Sequence, residues 1–244
     1  MDSVSKFQGS SLEISNDILK QLFNKYPFNS KNLYRLVCGS KHCAVELKNG
    51  NIGICSTLGV ELMQDLEVLK NPEFNKIEHR IMVNAWVNAC SNYSLPAKGE
   101  GDVFDVVDFT CYKSVVMIGF FCSLSVKFKN AGIPVIIFDL DPVDKPVAPI
   151  ETQQHHLAAA DAVILTATTI SNMTFNGIME NVNCNADVYI LGPSTNLDVD
   201  MLSFPKVKAL FGSRFSPFDR TSLDLIAEGC GTKRIMPFMK KVYI

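Results

Sequence analysis

The stretch AVILTATTISNMTFNGIME, residues 162–180, decides the fold because it carries an apolar strand through a loop of hydroxyl side chains into a helix. The apolar run at 162–166 predicts a buried strand, and the next helix is predicted at 171–182, with Ser171 and Asn172 at its start. Backbone N–H groups at a helix N-terminus lack intrahelical partners, and the helix dipole is positive there. This corner at the carboxyl end of a strand therefore predicts a site for a polar or anionic ligand.

A second polar corner, ILGPSTN at residues 190–196, again directly follows an apolar strand. Throughout residues 101–244 such strands alternate with helical segments, which predicts a parallel sheet covered on both faces, a Rossmann-like α/β domain. The predicted strands are residues 114–119, 134–139, 162–166, 187–191 and 207–211. The predicted helices are residues 121–131, 151–160 and 171–182, with a last helix capped by Ser216 and ended by Gly229.

Residues 1–100 have a different pattern, typical of a small α+β domain. Asn49-Gly50 is a strong two-residue hairpin turn between apolar strands. The predicted elements are a helix at about 11–26, strands at 33–38, 43–47 and 52–56, and helices at 60–69 and 73–93. The glycine-rich segment KGEGD at 98–102 is the predicted linker, which divides the chain into domains at residues 1–100 and 101–244.

The composition is that of a soluble globular protein, with 244 residues, 47% hydrophobic side chains and 20% charged ones. A formal net charge of −2 gives no basic surface, so we expect no nucleic-acid partner. The N-terminus lacks the layout of a signal peptide, and the longest apolar run, residues 114–126, is too short to cross a bilayer. These features predict a cytoplasmic protein with no membrane partner, and they are compatible with a homo-oligomer.

The eight cysteines are predicted to be reduced thiols in the protein core, because no Cys-x-x-Cys pair with zinc-site spacing occurs. Cys38, Cys43 and Cys55 lie on the predicted strands of the N-terminal domain and form the alternative. Thiolates bind soft metal ions, so these three could bind one if the hairpin brings them together.

Three asparagines recur at every fourth position of the predicted helix at 73–93, namely Asn84, Asn88 and Asn92, and so share one helix face. A solvent-facing stripe is the interpretation that the sequence favours. The alternative is that this face borders the second domain, where each amide offers both a donor and an acceptor.

No established catalytic motif is present. Residues 115–121, VVMIGFF, form a strand followed by a turn at Gly119, and Asp139 ends the next strand, as in a dinucleotide-binding domain. That fingerprint needs three glycines, whereas this turn has only Gly119 before a bulky Phe120, which argues against NAD or FAD. No nucleophile elbow or phosphate loop occurs either, so acid–base catalysis would depend on a carboxylate such as Asp139.

Several of these segments together resemble the "putative heavy-metal chelation" family, a domain of unknown function. The segments that carry the resemblance are SVVMIGFF at 114–121, DAVILTATTISNMT at 161–174 and LGPST at 191–195. VNACSN at 87–92 and GDVFD at 101–105 extend it over nearly the whole chain, in the same order. The resemblance implies an enolase-N-terminal-like domain followed by a Rossmann-like one, with the site in the cleft between them.

Carried over by position, the resemblance implies a set of ligand-binding residues. Thr168 is added to this set because it lies in the hydroxyl-rich loop after the strand at 162–166. This set is Asn88, Gly119, Thr168, Asn172, Thr174, Gly192, Pro193 and Ser194. The chain departs from the family at Ala167, where a glycine is common, at Asp139, where a glutamate is frequent, and at Asn196, where a proline is usual. The family's description implies a metal ion or metal complex, but it identifies no cofactor and no reaction.

Three functions follow as hypotheses. The first is binding of a small polar or anionic ligand in the interdomain cleft, such as a metal chelate or a heterocyclic cofactor precursor. The second is an enzyme, a lyase or transferase, that acts on such a ligand in the same cleft with Asp139 as acid or base. The third is direct metal binding by Cys38, Cys43 and Cys55.

Overall fold

The computed structural model describes residues 17–244. Its first helix, α1 (Ile18–Lys25), is capped by Asp17, whose carboxylate accepts a hydrogen bond from the Leu19 N–H at 3.1 Å. The start of the predicted helix, residues 11–16, lies outside the described residues. Among the described residues, no helix has the length and apolar character that crossing a membrane requires.

A three-stranded antiparallel sheet follows, in the order β1-β2-β3. Its strands are β1 (Leu33–Cys38), β2 (His42–Leu47) and β3 (Ile52–Ser56). The predicted helix at 60–69 is wrong, because Val60 and Leu62 pack against the core from non-helical backbone and only α2 (Glu67–Lys70) is helical. The long helix α3 (Ile77–Ser91) starts later than predicted.

The second sheet has seven strands in the order β4-β10-β9-β8-β7-β5-β6. They are β4 (Gly99–Glu100), β5 (Val115–Ile118), β6 (Val135–Phe138), β7 (Ala162–Thr166), β8 (Asp187–Leu191), β9 (Val207–Phe215) and β10 (Met239–Tyr243). Strands β5 to β9 are parallel, whereas β10 and β4 join in antiparallel pairing. The predicted fold class, an α/β protein with a parallel sheet and a small α+β unit, is confirmed.

Helices connect the strands of this sheet. They are α4 (Val103–Val106), α5 (Cys122–Ala131), α6 (Gln153–Ala159), α7 (Thr168–Ser171), α8 (Phe175–Asn181), α9 (Val199–Leu202), α10 (Arg220–Ala227) and α11 (Thr232–Ile235). Single 3-10 turns lie at Phe109–Cys111, Ile150–Thr152 and Met236–Phe238. The last long helix is capped by Asp219, which accepts from the Ser222 N–H, and the prediction of Ser216 is wrong because Phe218 has a left-handed φ of 61°.

The predicted helix at 171–182 starts later in the structure, because α8 covers Phe175–Asn181 and the short helix α7 ends at Ser171. The Asn172 Oδ1 accepts hydrogen bonds from the Thr174 N–H at 3.2 Å and from the Thr174 hydroxyl at 2.7 Å. This turn competes with helical bonding, and Met173 between them adopts a left-handed φ of 65°. Ser171 and Asn172 therefore end a helix and do not open one.

The strand order places a topological switch point beside β5. From β5 the chain passes to β6 on one side and then to β7 on the other. The connections leave the carboxyl ends of β5 and β7 in opposite directions, and open α/β sheets have a crevice at this point.

Candidate functional site

A cleft of about 350 Å³ opens at this switch point, a size within the range of small-molecule sites. Its polar lining residues are Ser56, Asp139, Gln153, Thr166, Thr168, Thr169, Asn172 and Thr174. Its apolar lining residues are Leu58, Ile118, Phe120, Phe121, Phe138, Leu140, Ile150 and Ile178, with Gly119 between the two groups. Ser56 ends β3 and Leu58 follows it, so two residues next to the small sheet also line the cleft.

Gly119 brings the ends of β5 and β7 together. Its φ is +91°, and a Cβ at this position would lie 2.8 Å from the Thr166 Cγ2 atom. Both the backbone angle and the close contact exclude a larger residue without movement. The sequence identified this glycine correctly as a tight turn.

The hydroxyls at the end of β7 form a connected group. The Thr166 and Thr168 Oγ1 atoms are 3.0 Å apart, and the Thr169 hydroxyl donates to the Thr166 carbonyl at 2.7 Å. Asn172 uses its carbonyl oxygen on Thr174, so its amide N–H groups are the donors that it can offer to a ligand. The result is a cleft wall in which the described residues offer hydroxyl and amide groups and no cationic side chain.

Asp139 is the charged residue among the described residues that line the cleft. Its Oδ2 accepts from the Phe120 N–H at 2.7 Å, and its Oδ1 accepts from the Asp141 N–H at 2.9 Å and from Lys145 Nζ at 3.0 Å. Burial alone would raise the pKa of this carboxyl, but the three hydrogen bonds outweigh it and lower the pKa below its usual range. Asp139 is thus an ionised, fully engaged carboxylate near neutral pH.

The asparagine face of α3 is buried, so the solvent-facing interpretation is wrong and the alternative is confirmed. The three amides donate to three consecutive carbonyls of the loop after β8. Asn88 donates to Pro193, Asn84 to Ser194 and Asn92 to Thr195, at 3.0, 3.2 and 3.0 Å. Asn88 also donates to the Ile54 carbonyl, and the Ser194 hydroxyl accepts from the Ser56 N–H. We call this set of contacts the asparagine ladder.

The predicted ligand residues therefore divide into three groups. Gly119, Thr168, Asn172 and Thr174 line the cleft, together with the catalytic candidate Asp139. Gly192 and Pro193 line a separate pocket of about 140 Å³, which the Phe121 ring shares with the cleft. Asn88 and Ser194 lie buried in the asparagine ladder and line neither cavity.

Arg80 is a residue that the sequence analysis did not identify, and it holds the end of α7 beside the cleft. This guanidinium is 4% exposed and donates to the Ile170 carbonyl at 2.7 Å and to the Ser171 carbonyl at 3.2 Å, at the end of α7. It also pairs with the Asp17 carboxylate, which compensates its charge. A single arginine within the apolar run of α3 was the available signal.

The prediction that the cysteines lie in the protein core holds for only some of them. Cys43 and Cys55 are buried, but Cys111, Cys122 and Cys184 are exposed. The sheet register does align Cys38, Cys43 and Cys55 across three strands. However, within residues 17–244 no group of three or more His, Cys, Asp or Glu side chains is arranged to hold a metal ion.

Together the fold and the cleft define a class: a Rossmann-like α/β protein with a small α+β unit against its switch point. The sequence model of the DUF364 family, described as "putative heavy-metal chelation", matches residues 102–244, and the chain belongs to this family. A comparison with curated proteins finds no match.

Two solved structures of this family have the same fold, and both are of proteins with unknown function. One, from Desulfitobacterium hafniense DCB-2, has a TM-score of 0.73 at 20% identity, covering 93% of this chain and 96% of that chain. The other, from Pyrococcus horikoshii, has a TM-score of 0.78 at 21% identity, covering 93% of this chain and 98% of that chain.

Proposed function

We propose that the protein binds a small polar organic ligand in the cleft at the switch point. The observation that carries the proposal is the lining: hydroxyl and amide groups on β7 and α7 face a cavity whose other walls are aromatic and aliphatic. Apolar walls with a few convergent polar groups are typical of ligand sites. A flat heterocycle fits both features, because its faces can pack against the partly exposed Phe120 and Phe121 while its edge pairs with the Asn172 amide.

The charge of the cleft favours a neutral ligand over an anionic one. Among the described residues, no lysine, arginine or histidine lines the cleft, and the Asp139 charge is already paired with Lys145 Nζ outside the lining. An anion would therefore find no unpaired cationic side chain in this wall to offset the cost of its desolvation. A metal ion would have to arrive bound to donor atoms of the ligand itself, because one engaged carboxylate cannot hold it.

The test is a thermal-shift screen of the full chain with three groups of probes: neutral nitrogen heterocycles, nucleoside monophosphates and divalent metal salts. We expect stabilisation by members of the first group. Asn172→Ala should weaken that binding about tenfold, the effect of one lost hydrogen bond in a desolvated site. Asn185→Ala, an exposed asparagine before β8 at the opposite edge of the sheet, is the matched control. Stabilisation by metal salts alone, unchanged in Asn172→Ala, would contradict the proposal.

A further inference from the structure

Two cysteines of the small sheet face each other at its edge. Cys38 ends β1 and Cys43 lies on β2, and the register pairs their Cα atoms directly. Their Sγ atoms are 4.0 Å apart. The other described cysteines have no sulfur contact of this kind with one another, so this pair is distinct within residues 17–244.

The backbone around this pair has the geometry that a disulfide needs. The Gly39 N–H donates to the His42 carbonyl at 2.9 Å, which makes Gly39 and His42 a hydrogen-bonded pair. Pairs alternate along an antiparallel ladder, so Cys38 and Cys43 form a non-hydrogen-bonded pair, for which the Cα atoms are about 4.5 Å apart. That separation lies within the range of disulfides, about 4.4 to 6.8 Å.

We infer that Cys38 and Cys43 form a modification site, at which a hydroperoxide converts the two thiols into a reversible disulfide. The inference does not depend on the proposed ligand. Side-chain rotation has to shorten the Sγ–Sγ distance from 4.0 Å to about 2.0 Å, without a change of register.

The two thiols have different roles in this reaction. Cys38 is half-buried, and its hydrogen bond with Cys43 lowers its pKa even though burial opposes this. Cys43 is fully buried, and both the same hydrogen bond and burial raise its pKa. Because the thiolate is the nucleophile, Cys38 reacts first and Cys43 second.

The reaction balances with hydrogen peroxide as the oxidant. The Cys38 thiolate attacks one peroxide oxygen, the O–O bond breaks, and a sulfenic acid and one water form after protonation. The Cys43 sulfur then attacks the Cys38 sulfur, the S–O bond breaks, and the hydroxyl leaves as a second water with the Cys43 proton. Two thiols lose two electrons, and the peroxide gains them.

The sequence allows a direct test, because trypsin cleaves after Lys41, between the two cysteines. The reduced full chain is treated with a low excess of hydrogen peroxide, its remaining thiols are alkylated, and the tryptic digest is analysed by mass spectrometry. We expect peptide 36–41, LVCGSK, joined to peptide 42–48, HCAVELK, in material that remains monomeric on a non-reducing gel. Dithiothreitol should separate the two peptides, and free thiols should fall from eight to six per chain.

Variants give the control. Cys38→Ser, at a half-buried position, should abolish the linked peptides, whereas Cys111→Ser, at an exposed position, should leave their yield unchanged. Cys38→Ala serves if the serine variant folds poorly. The inference is overturned if peroxide leaves Cys38 unmodified, drives it to a sulfinic acid, or links it to a cysteine other than Cys43.

Discussion

At the scale of single residues, Asp139 is the group whose protonation the structure determines most clearly. Its two carboxylate oxygens accept hydrogen bonds from two backbone N–H groups and from Lys145. The pKa in the folded protein is below its usual range, so the folded state is stabilised above the unfolded pKa of about 3.9. This contribution is lost as the pH falls through the folded pKa.

Asp139→Asn should therefore lower the free energy of unfolding at pH 7 by about 1 to 2 kcal/mol, since one N–H donor then meets an amide NH₂. Below about pH 4 the difference from the wild type should shrink, because protons bind the carboxyl first in the unfolded wild type and in the folded protein only at lower pH. Urea unfolding at both pH values measures it. Asp141→Asn is the control, because its side chain is 73% exposed and should change little. A loss of unfolding free energy in Asp139→Asn that is the same at both pH values would contradict this account of Asp139.

At the scale of secondary-structure elements, the asparagine ladder joins α3 to the loop after β8. Counting contacts beyond the ladder, the side chain of Asn92 makes more hydrogen bonds than that of Asn84 or Asn88. Its amide donates to the Thr195 and Ser213 carbonyls, and its Oδ1 accepts from the Leu197 N–H at 2.7 Å. All of these groups are buried, so removing the amide leaves several polar groups without a partner.

We expect Asn92→Ala to destabilise the protein by about 3 kcal/mol, the sum of such desolvation costs. Asn130→Ala, at an exposed position of α5, should be neutral or slightly stabilising because alanine is the better helix former. Equilibrium unfolding in urea compares the two variants. An Asn92→Ala penalty below about 0.5 kcal/mol would show that the ladder contributes little to stability.

The elements that the sequence predicted well are those with a local cause. Strands β5 to β9 are short apolar runs between turn signals, and each was placed within a few residues. Strand β4 has two residues and exists only through pairing with β10, so no local pattern marks it. The break between α7 and α8 comes from the Asn172 side chain, which competes with a helix that apolar periodicity favours.

The candidate site was predictable to the extent that it follows strand ends. Gly119 and Thr168 lie within two residues of the ends of β5 and β7, Asn172 and Thr174 follow the short helix α7, and all four line the cleft. The aromatic walls were missed, because a phenylalanine that lines a cleft cannot be told from a core residue by its sequence context. Asn88 and Ser194 instead form buried hydrogen bonds with β3 and between α3 and the loop after β8, which depend on partners distant in the chain.

At the scale of the whole molecule, the two parts of the chain are interleaved. One face of the small sheet packs against α3, and the other face packs against α10, where Leu223 and Ile226 cover Val37, Ala44 and Ile54. All six residues of β2 are buried as a result. The domain boundary near residue 100 stays a prediction. The shared packing determines whether either part can fold without the other.

A fragment of residues 1–100 lacks α10, so the apolar face of its sheet would be exposed to water. We expect this fragment to aggregate or to give a poorly dispersed NMR spectrum, and co-expression with residues 101–244 to restore soluble protein. A cooperative unfolding transition of the isolated fragment would contradict this expectation and would support an autonomous N-terminal domain.

We propose that the cleft at the switch point binds an organic ligand and that the side chains of residues 17–244 do not hold a bare metal ion. Native mass spectrometry of untagged protein, with elemental analysis of the same sample, tests it most directly. We predict a stoichiometric organic adduct that is reduced or lost in Asn172→Ala, with any metal present only together with that adduct. Stoichiometric metal without an organic adduct, retained in Asn172→Ala, would contradict the claim.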